Sequence, residues 1–250
     1  MKMESEFYLV GHRGTRTDFD ENSLKAFEKA IECNANYIEF DVRRSKDDEI
    51  IVLHDSTINR TTNGTGKLKN MSLPEIKKYK LKIHEGHILL LSEVLDAFKS
   101  KIKFMIELKE EKLTFRVLEL VKRCDLLKDC IFSGRYFNEL EEIKTVTPNS
   151  TTCYNITKGK GLSLSKFMAL GKKERLSLKI DLISLRSSII TPEFIKTCQK
   201  HHIKALAWDF IHYKEPIQKI KSLIKMGIDG ILFDDYKNIS VINQWIKIKH

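Results

Sequence analysis

The stretch Tyr37-Ile38-Glu39-Phe40-Asp41-Val42 decides the fold. Apolar and acidic residues alternate in it with a period of two, which is the pattern of a β-strand. Glu39 and Asp41 therefore share one face. Upstream, Leu24, Phe27, Ala30 and Ile31 recur at helical spacing behind the capping candidates Asn22 and Ser23, and Phe7-Tyr8-Leu9-Val10 reads as a strand that stops at Gly11. Downstream, Ile50-Ile51-Val52-Leu53 is a further strand, and Phe104-Met105-Ile106 is the next buried one. Strand-like runs at Ile131-Phe132, Thr151 to Ile156, Leu182 to Leu185, Ala205 to Trp208 and Gly230 to Phe233 then alternate with helical patterns. One of those helices opens on Thr191-Pro192-Glu193, with a cap and a proline at its first position. About eight strand–helix units in this length point to a closed (β/α)8 TIM barrel, read as one catalytic domain over residues 1–250. An open doubly wound sheet is the alternative, but no GxGxxG follows a strand. Asp55 to Leu91 is too long for a simple loop and reads as a small insertion after the second strand, with Ser72-Leu73-Pro74-Glu75 as a capping box inside it.

The 250 residues carry 44 Lys+Arg against 34 Asp+Glu, a net charge of +10. At 42% hydrophobic residues, with only 11 Gly and 4 Pro, the chain can fill a core and is neither disordered nor collagenous. The lysines are scattered among Ile, Leu and Glu, which suits solvated helix faces and a phosphate-bearing ligand better than nucleic acid. No run is apolar enough to span a bilayer. Met1 to Glu6 carries two acids and does not read as a signal peptide. The five cysteines form no CxxC pair and read as reduced thiols of a cytoplasmic protein. Monomer and homodimer are both open.

In a barrel, the residues that do chemistry stand at the C-terminal ends of the strands. Here those ends read Gly11-His12-Arg13-Gly14, Glu39-x-Asp41, His54-Asp55, Glu107-x-Lys109 and Phe233-Asp234-Asp235. Glu39 and Asp41 facing one interior repel each other, and Glu107 adds a third carboxylate. Such a trio of hard oxygen donors suits Mg2+ or Ca2+. Pairing with Lys or Arg is the structural alternative. His12 and His54 can each hold or release a proton near neutral pH, so the pair can supply an acid and a base. Arg13 and Lys109 offer positive charge to a phosphate, or salt bridges to the acids, and both uses can coexist. His84, His87, His201, His202, His212 and His250 read as surface or structural. Asn63-Gly64-Thr65-Gly66 is a turn and lacks the lysine of a phosphate-binding loop.

Taken together, Gly11-His12-Arg13-Gly14, Glu21-Asn22-Ser23, Glu39-Phe40-Asp41-Val42, His54-Asp55, Asn59 to Gly66, Glu107-Leu108-Lys109 and Gly230 to Asp235 resemble the glycerophosphodiester phosphodiesterase family. The match is dense over residues 7–70 and thinner, but in order, to residue 235. The resemblance implies a TIM-barrel hydrolase that converts a small-molecule glycerophosphodiester to sn-glycerol 3-phosphate and an alcohol, through a cyclic phosphate. It assigns Glu39, Asp41 and Glu107 to the divalent cation and His12 and His54 to base and acid catalysis. Arg13 and Lys109 fall to the phosphate, and Glu21, Asn22 and Trp208 are in support. The sequence departs from the family pattern at Leu89-Leu90-Leu91, Ser133-Gly134-Arg135, Arg186, Trp208-Asp209-Phe210 and Asp234-Asp235-Tyr236. These changes fall on the far wall of the pocket, which should meet the alcohol or the glycerol, and Arg135 and Arg186 there would favour a more anionic substrate. A phospholipase-like enzyme on intact lipids and a non-catalytic phosphate-binding barrel are the competing readings.

Overall fold

The computed structural model describes residues 7–172 and 178–249; the N-terminal stretch Met1 to Glu6 and His250 lie outside the described residues. The strands are β1 (Tyr8–Gly11), β2 (Tyr37–Arg44), β3 (Ile50–Val52), β4 (Lys103–Leu108), β5 (Cys130–Gly134), β6 (Thr151–Asn155), β7 (Leu182–Arg186), β8 (Lys204–Trp208) and β9 (Gly230–Phe233). The helices are α1 (Leu24–Glu32), α2 (Leu73–Ile76), α3 (Leu91–Phe98), α4 (Thr114–Arg123), α5 (Phe137–Val146), α6 (Leu164–Leu170), α7 (Pro192–Lys200), α8 (Pro216–Lys225) and α9 (Tyr236–Lys249). Every strand pairing except that of β2 with β3 is parallel, and β1 bonds to both β2 and β9. That double pairing closes the sheet into a (β/α)8 barrel and removes the open-sheet alternative.

The period of two in β2 now has a physical cause. Ile38, Phe40 and Val42 face the helix layer and are fully buried there. The opposite face looks into the barrel, where Val10, Met105, Ile131, Cys153, Leu182, Leu206 and Leu232 fill the lower interior. Glu39 and Asp41 stand on this inner face. Helix starts follow the sequence signals. The Ser23 hydroxyl accepts from the Ala26 amide at 3.2 Å, and the Thr191 hydroxyl accepts from the Phe194 amide at 3.2 Å ahead of Pro192. Phe40 meets Phe27 at 5.7 Å and Phe104 at 6.2 Å between ring centroids. Phe40→Ala is therefore expected to lower stability by about 3–5 kcal/mol, read as a fall in the urea midpoint.

The run at Ile50 to Leu53 is not a barrel stave. It forms β3, antiparallel to β2, with Val42 opposite Val52. The five residues between the strands close a turn, with the Ser45 amide donating to the Glu49 carbonyl at 3.0 Å and Asp48 at φ 61°. So short a link can make a hairpin but not the crossover that a parallel neighbour needs. The hairpin returns the chain to the level of Asp41, whose carbonyl accepts from the Leu53 amide at 2.9 Å. His54 is thereby delivered to the barrel mouth. The segment that follows, 55–91, packs Ile58, Leu68, Ile76, Leu81 and Ile88 with Ile51 and Leu53 into a cluster of its own. No helix among the described residues is long and apolar enough to cross a membrane.

Candidate active site

Register across the barrel sets the site. Asp41 on β2 lies opposite Glu107 on β4, and Glu107 lies opposite Ser133 on β5. Glu39, Asp41 and Glu107 each direct an oxygen to one place, all within 4.8 Å of one another. All three are buried. Glu39 Oε2 accepts from the Arg13 amide at 2.8 Å, but Glu39 Oε1 is buried without a hydrogen bond. Asp41 Oδ2 accepts from Asn22 Nδ2 at 2.9 Å and lies 3.2 Å from Arg13 Nε. Asp41 Oδ1 sits 3.2 Å from Lys109 Nζ, close enough for an ion pair but not aligned for a hydrogen bond. Lys109 Nζ donates to Glu107 Oε1 at 2.9 Å. Burial, then Asp41 and Glu107, push the Glu39 carboxyl well above the usual carboxylate range. Burial acts in the same sense on Asp41, but Lys109 and Arg13 override it and hold that carboxyl low. Three buried carboxylates converging on one point, two of them with an oxygen that has no hydrogen bond, suit a hard divalent cation.

Both expected imidazoles line one cleft together with Glu107 of this cluster. His12 follows β1 in a tight turn that leaves Arg13 at φ 54° and Gly14 at φ 75°. A Cβ at Gly14 would meet the Ala26 backbone at 2.6 Å, so glycine is required there. His12 Nδ1 donates to Asp234 Oδ1 at 2.8 Å, and its Nε2 lies 4.0 Å from Glu39 Oε2. His54 Nδ1 donates to Asp55 Oδ1 at 2.6 Å. In each case a carboxylate occupies Nδ1, which leaves Nε2 free to exchange a proton. Burial, with Arg13 and Lys109 nearby, holds the His54 imidazole below its ordinary value although Asp41 opposes the shift.

Glu21 is not a member of the acidic cluster. It accepts from Arg13 Nη1 at 2.8 Å and from Arg60 Nη2 at 2.6 Å, and so anchors the guanidinium that braces Asp41. Arg60, from the 55–91 segment, also donates to Asp55 Oδ2 at 2.7 Å. Burial alone would raise the Asp55 carboxyl, but Arg60 and His54 hold it at about 2. A folded-state value below the unfolded one stabilises the fold above about pH 4 and loses that contribution as pH falls toward 2. The urea midpoint of Asp55→Asn is therefore expected to decline less than that of the native protein over this interval.

Trp208 stands away from the acids, at the end of β8, with the Arg186 guanidinium 5.2 Å from its ring. Asp234 is the group that reading by residue type leaves without a role. It is a strand-end acid, and that position was its only signal. It holds His12 with one oxygen, which Arg16 Nη1 also meets at 2.9 Å, and accepts from the Phe210 amide with the other at 2.7 Å. His212, read from sequence as surface or structural, lines the cleft. His84 stacks on Phe19 at 5.3 Å, and His201 Nε2 lies 3.0 Å from the Gly171 carbonyl; both are structural. The cleft encloses about 370 Å³.

A (β/α)8 barrel with chemistry-bearing side chains gathered at the C-terminal ends of its strands is the architecture of an enzyme. The model of the glycerophosphoryl diester phosphodiesterase family matches residues 12–238. A glycerophosphodiester phosphodiesterase of Caldanaerobacter subterraneus subsp. tengcongensis is 29% identical over 243 residues, covering 91% of this chain and 93% of the relative. The crystal structure of a glycerophosphodiester phosphodiesterase from Thermotoga maritima is 26% identical, with a TM-score of 0.76 over 97% of this chain and 100% of that one. An Oleispira antarctica phosphodiesterase, solved with its product sn-glycerol-3-phosphate, shares the fold at a TM-score of 0.80 and 22% identity, over 94% of this chain and 96% of that one. The chain belongs to the glycerophosphoryl diester phosphodiesterase family and is an enzyme of the phosphodiesterase class.

Proposed function

We propose that this protein hydrolyses glycerophosphodiesters to sn-glycerol 3-phosphate and the free alcohol, with Glu39, Asp41 and Glu107 holding Mg2+ or Ca2+. The observation that carries the reading is a cleft lined by two imidazoles, each backed by a carboxylate at Nδ1, and by Glu107, whose carboxylate converges with those of Glu39 and Asp41. A phosphodiester is an anion that repels nucleophiles, and a bound divalent cation supplies the charge that offsets this. Arg13 and Lys109, both buried and facing the cleft, add to that positive field. One imidazole Nε2 takes the proton from the glycerol hydroxyl adjacent to the phosphate, and that oxygen bonds to phosphorus. The bond from phosphorus to the alcohol oxygen breaks, and the other imidazole donates its proton to the departing alkoxide. Water then opens the five-membered cyclic phosphate with the two roles exchanged, so that one water is consumed overall. A cytoplasmic location belongs to the same reading, since all five cysteines are free.

The test is release of sn-glycerol 3-phosphate from glycerophosphocholine, glycerophosphoethanolamine and glycerophosphoglycerol, set beside phosphatidylcholine vesicles. Turnover of the water-soluble diesters with little action on vesicles is expected. Preferential hydrolysis of the intact lipid would contradict it. Asp234→Asn should leave the fold intact but release His12 from its tautomer and orientation, lowering kcat by about tenfold to hundredfold with KM little changed. Steady-state kinetics on glycerophosphocholine would check this.

A further inference from the structure

The wall of the cleft beside the acidic cluster, continuing from β4 onto β5 and β6, carries two cations that the reaction above does not use. Arg135 follows β5, and Lys158 stands in the turn after β6. Neither forms an ion pair with an acid among the described residues. Every other Arg or Lys lining the cleft has a carboxylate within ion-pair reach; Arg186, for one, lies 3.1 Å from Asp209. Arg135 rests over the Tyr136 ring at 5.2 Å, and its Nε is buried without a hydrogen bond. Trp208 Nε1, at the end of β8, is a further donor of the cleft with no acceptor. Burial, then Lys109 and Arg186, press the Lys158 ammonium below the usual lysine range, as expected of a cation crowded by its own sign.

Charge balance gives these groups a use. Glu39, Asp41 and Glu107 set against Arg13, Lys109 and a divalent ion leave one net positive charge. The scissile phosphodiester is a monoanion and neutralises it. Arg135 and Lys158 then remain as positive charge lining the cleft, available to a second anionic group, which in a glycerophosphodiester is carried by the alcohol. A guanidinium and an ammonium from neighbouring staves suit a phosphate, which accepts from several donors at once.

We propose that this wall binds a phosphate carried by the alcohol, so that the preferred substrates are glycerophosphodiesters of a phosphorylated alcohol. The inference rests on the activity proposed above and names its substrate class. Water still adds across the bond between the scissile phosphorus and the alcohol oxygen, and the alcohol departs with its own phosphate intact. Arg186, held by Asp209, contributes less than its position in the sequence suggests.

The test compares glycerophosphoglycerol with the same diester bearing a terminal phosphate. The native protein should favour the phosphorylated compound by about tenfold to hundredfold in kcat/KM. Arg135→Gln combined with Lys158→Gln should bring that ratio to about one, whereas Arg135→Lys with Lys158→Arg should retain most of it. Should the double glutamine variant fail to fold, added salt must still compress the ratio in the native protein. Equal rates for the two substrates in the native protein, with glycerophosphoglycerol turned over, would overturn this inference alone. So would an unaltered ratio in the glutamine variant, or an equal loss on both substrates, which would assign the cations to the scissile phosphate. Hydrolysis of neither compound would overturn the underlying activity, and this inference with it.

Discussion

His54→Ala is expected to lower kcat on glycerophosphocholine by about a hundredfold to ten-thousandfold, and His12→Ala by a similar factor. The size follows from the leaving group. An alkoxide leaves poorly unless it is protonated as its bond to phosphorus breaks, and the attacking hydroxyl is weak until its proton is taken. Each imidazole is held by a carboxylate, Asp234 at 2.8 Å and Asp55 at 2.6 Å. Removing both rings should cost far less than the product of the single losses, because a step that has lost its acid gains little from the remaining base. Retention of full kcat by either single variant would remove that histidine from the chemistry. Circular dichroism and the urea midpoint would separate this from misfolding.

Glu39→Gln is expected to abolish most turnover at limiting metal while leaving the metal-free protein as stable as the native one, or more so. Glu39 is one of three buried carboxylates that repel one another in the metal-free protein, and its carboxyl is pushed toward the neutral form. An amide removes that repulsion but supplies a poorer ligand for a hard cation. Titration calorimetry with Mg2+ or Ca2+ should show affinity weakened by about tenfold to hundredfold or more. Glu107→Gln should weaken binding as well, but it also removes the negative charge of the partner that Lys109 holds at 2.9 Å and is expected to cost stability. Native affinity in both variants would disqualify the cluster as the cation site.

Much of this was legible in the sequence because barrels expose a simple code. The alternation in β2 announced two faces, and the helix layer and the barrel interior are those faces. The acids of β2 and β4 were legible together because parallel strands in register bring their ends to one level. What was hidden depended on partners distant in the chain. Asp234 binds His12 across 222 positions, and no local pattern encodes that bond. The run at Ile50 to Leu53 looks like a barrel strand by composition; only the five-residue turn before it betrays the hairpin, and the antiparallel return explains how His54 reaches the mouth. Arg135, Arg186 and Lys158 look alike as residues, and only their partners separate the cation held by an acid from the two that are not.

The most direct measurement follows release of sn-glycerol 3-phosphate from glycerophosphocholine by protein stripped with EDTA, then supplied with graded Mg2+ or Ca2+. Release should cease on stripping and return saturably with one of these ions, the midpoint shifting to higher concentration in Glu39→Gln. Undiminished release from the stripped protein, or none at any metal concentration, would contradict the account.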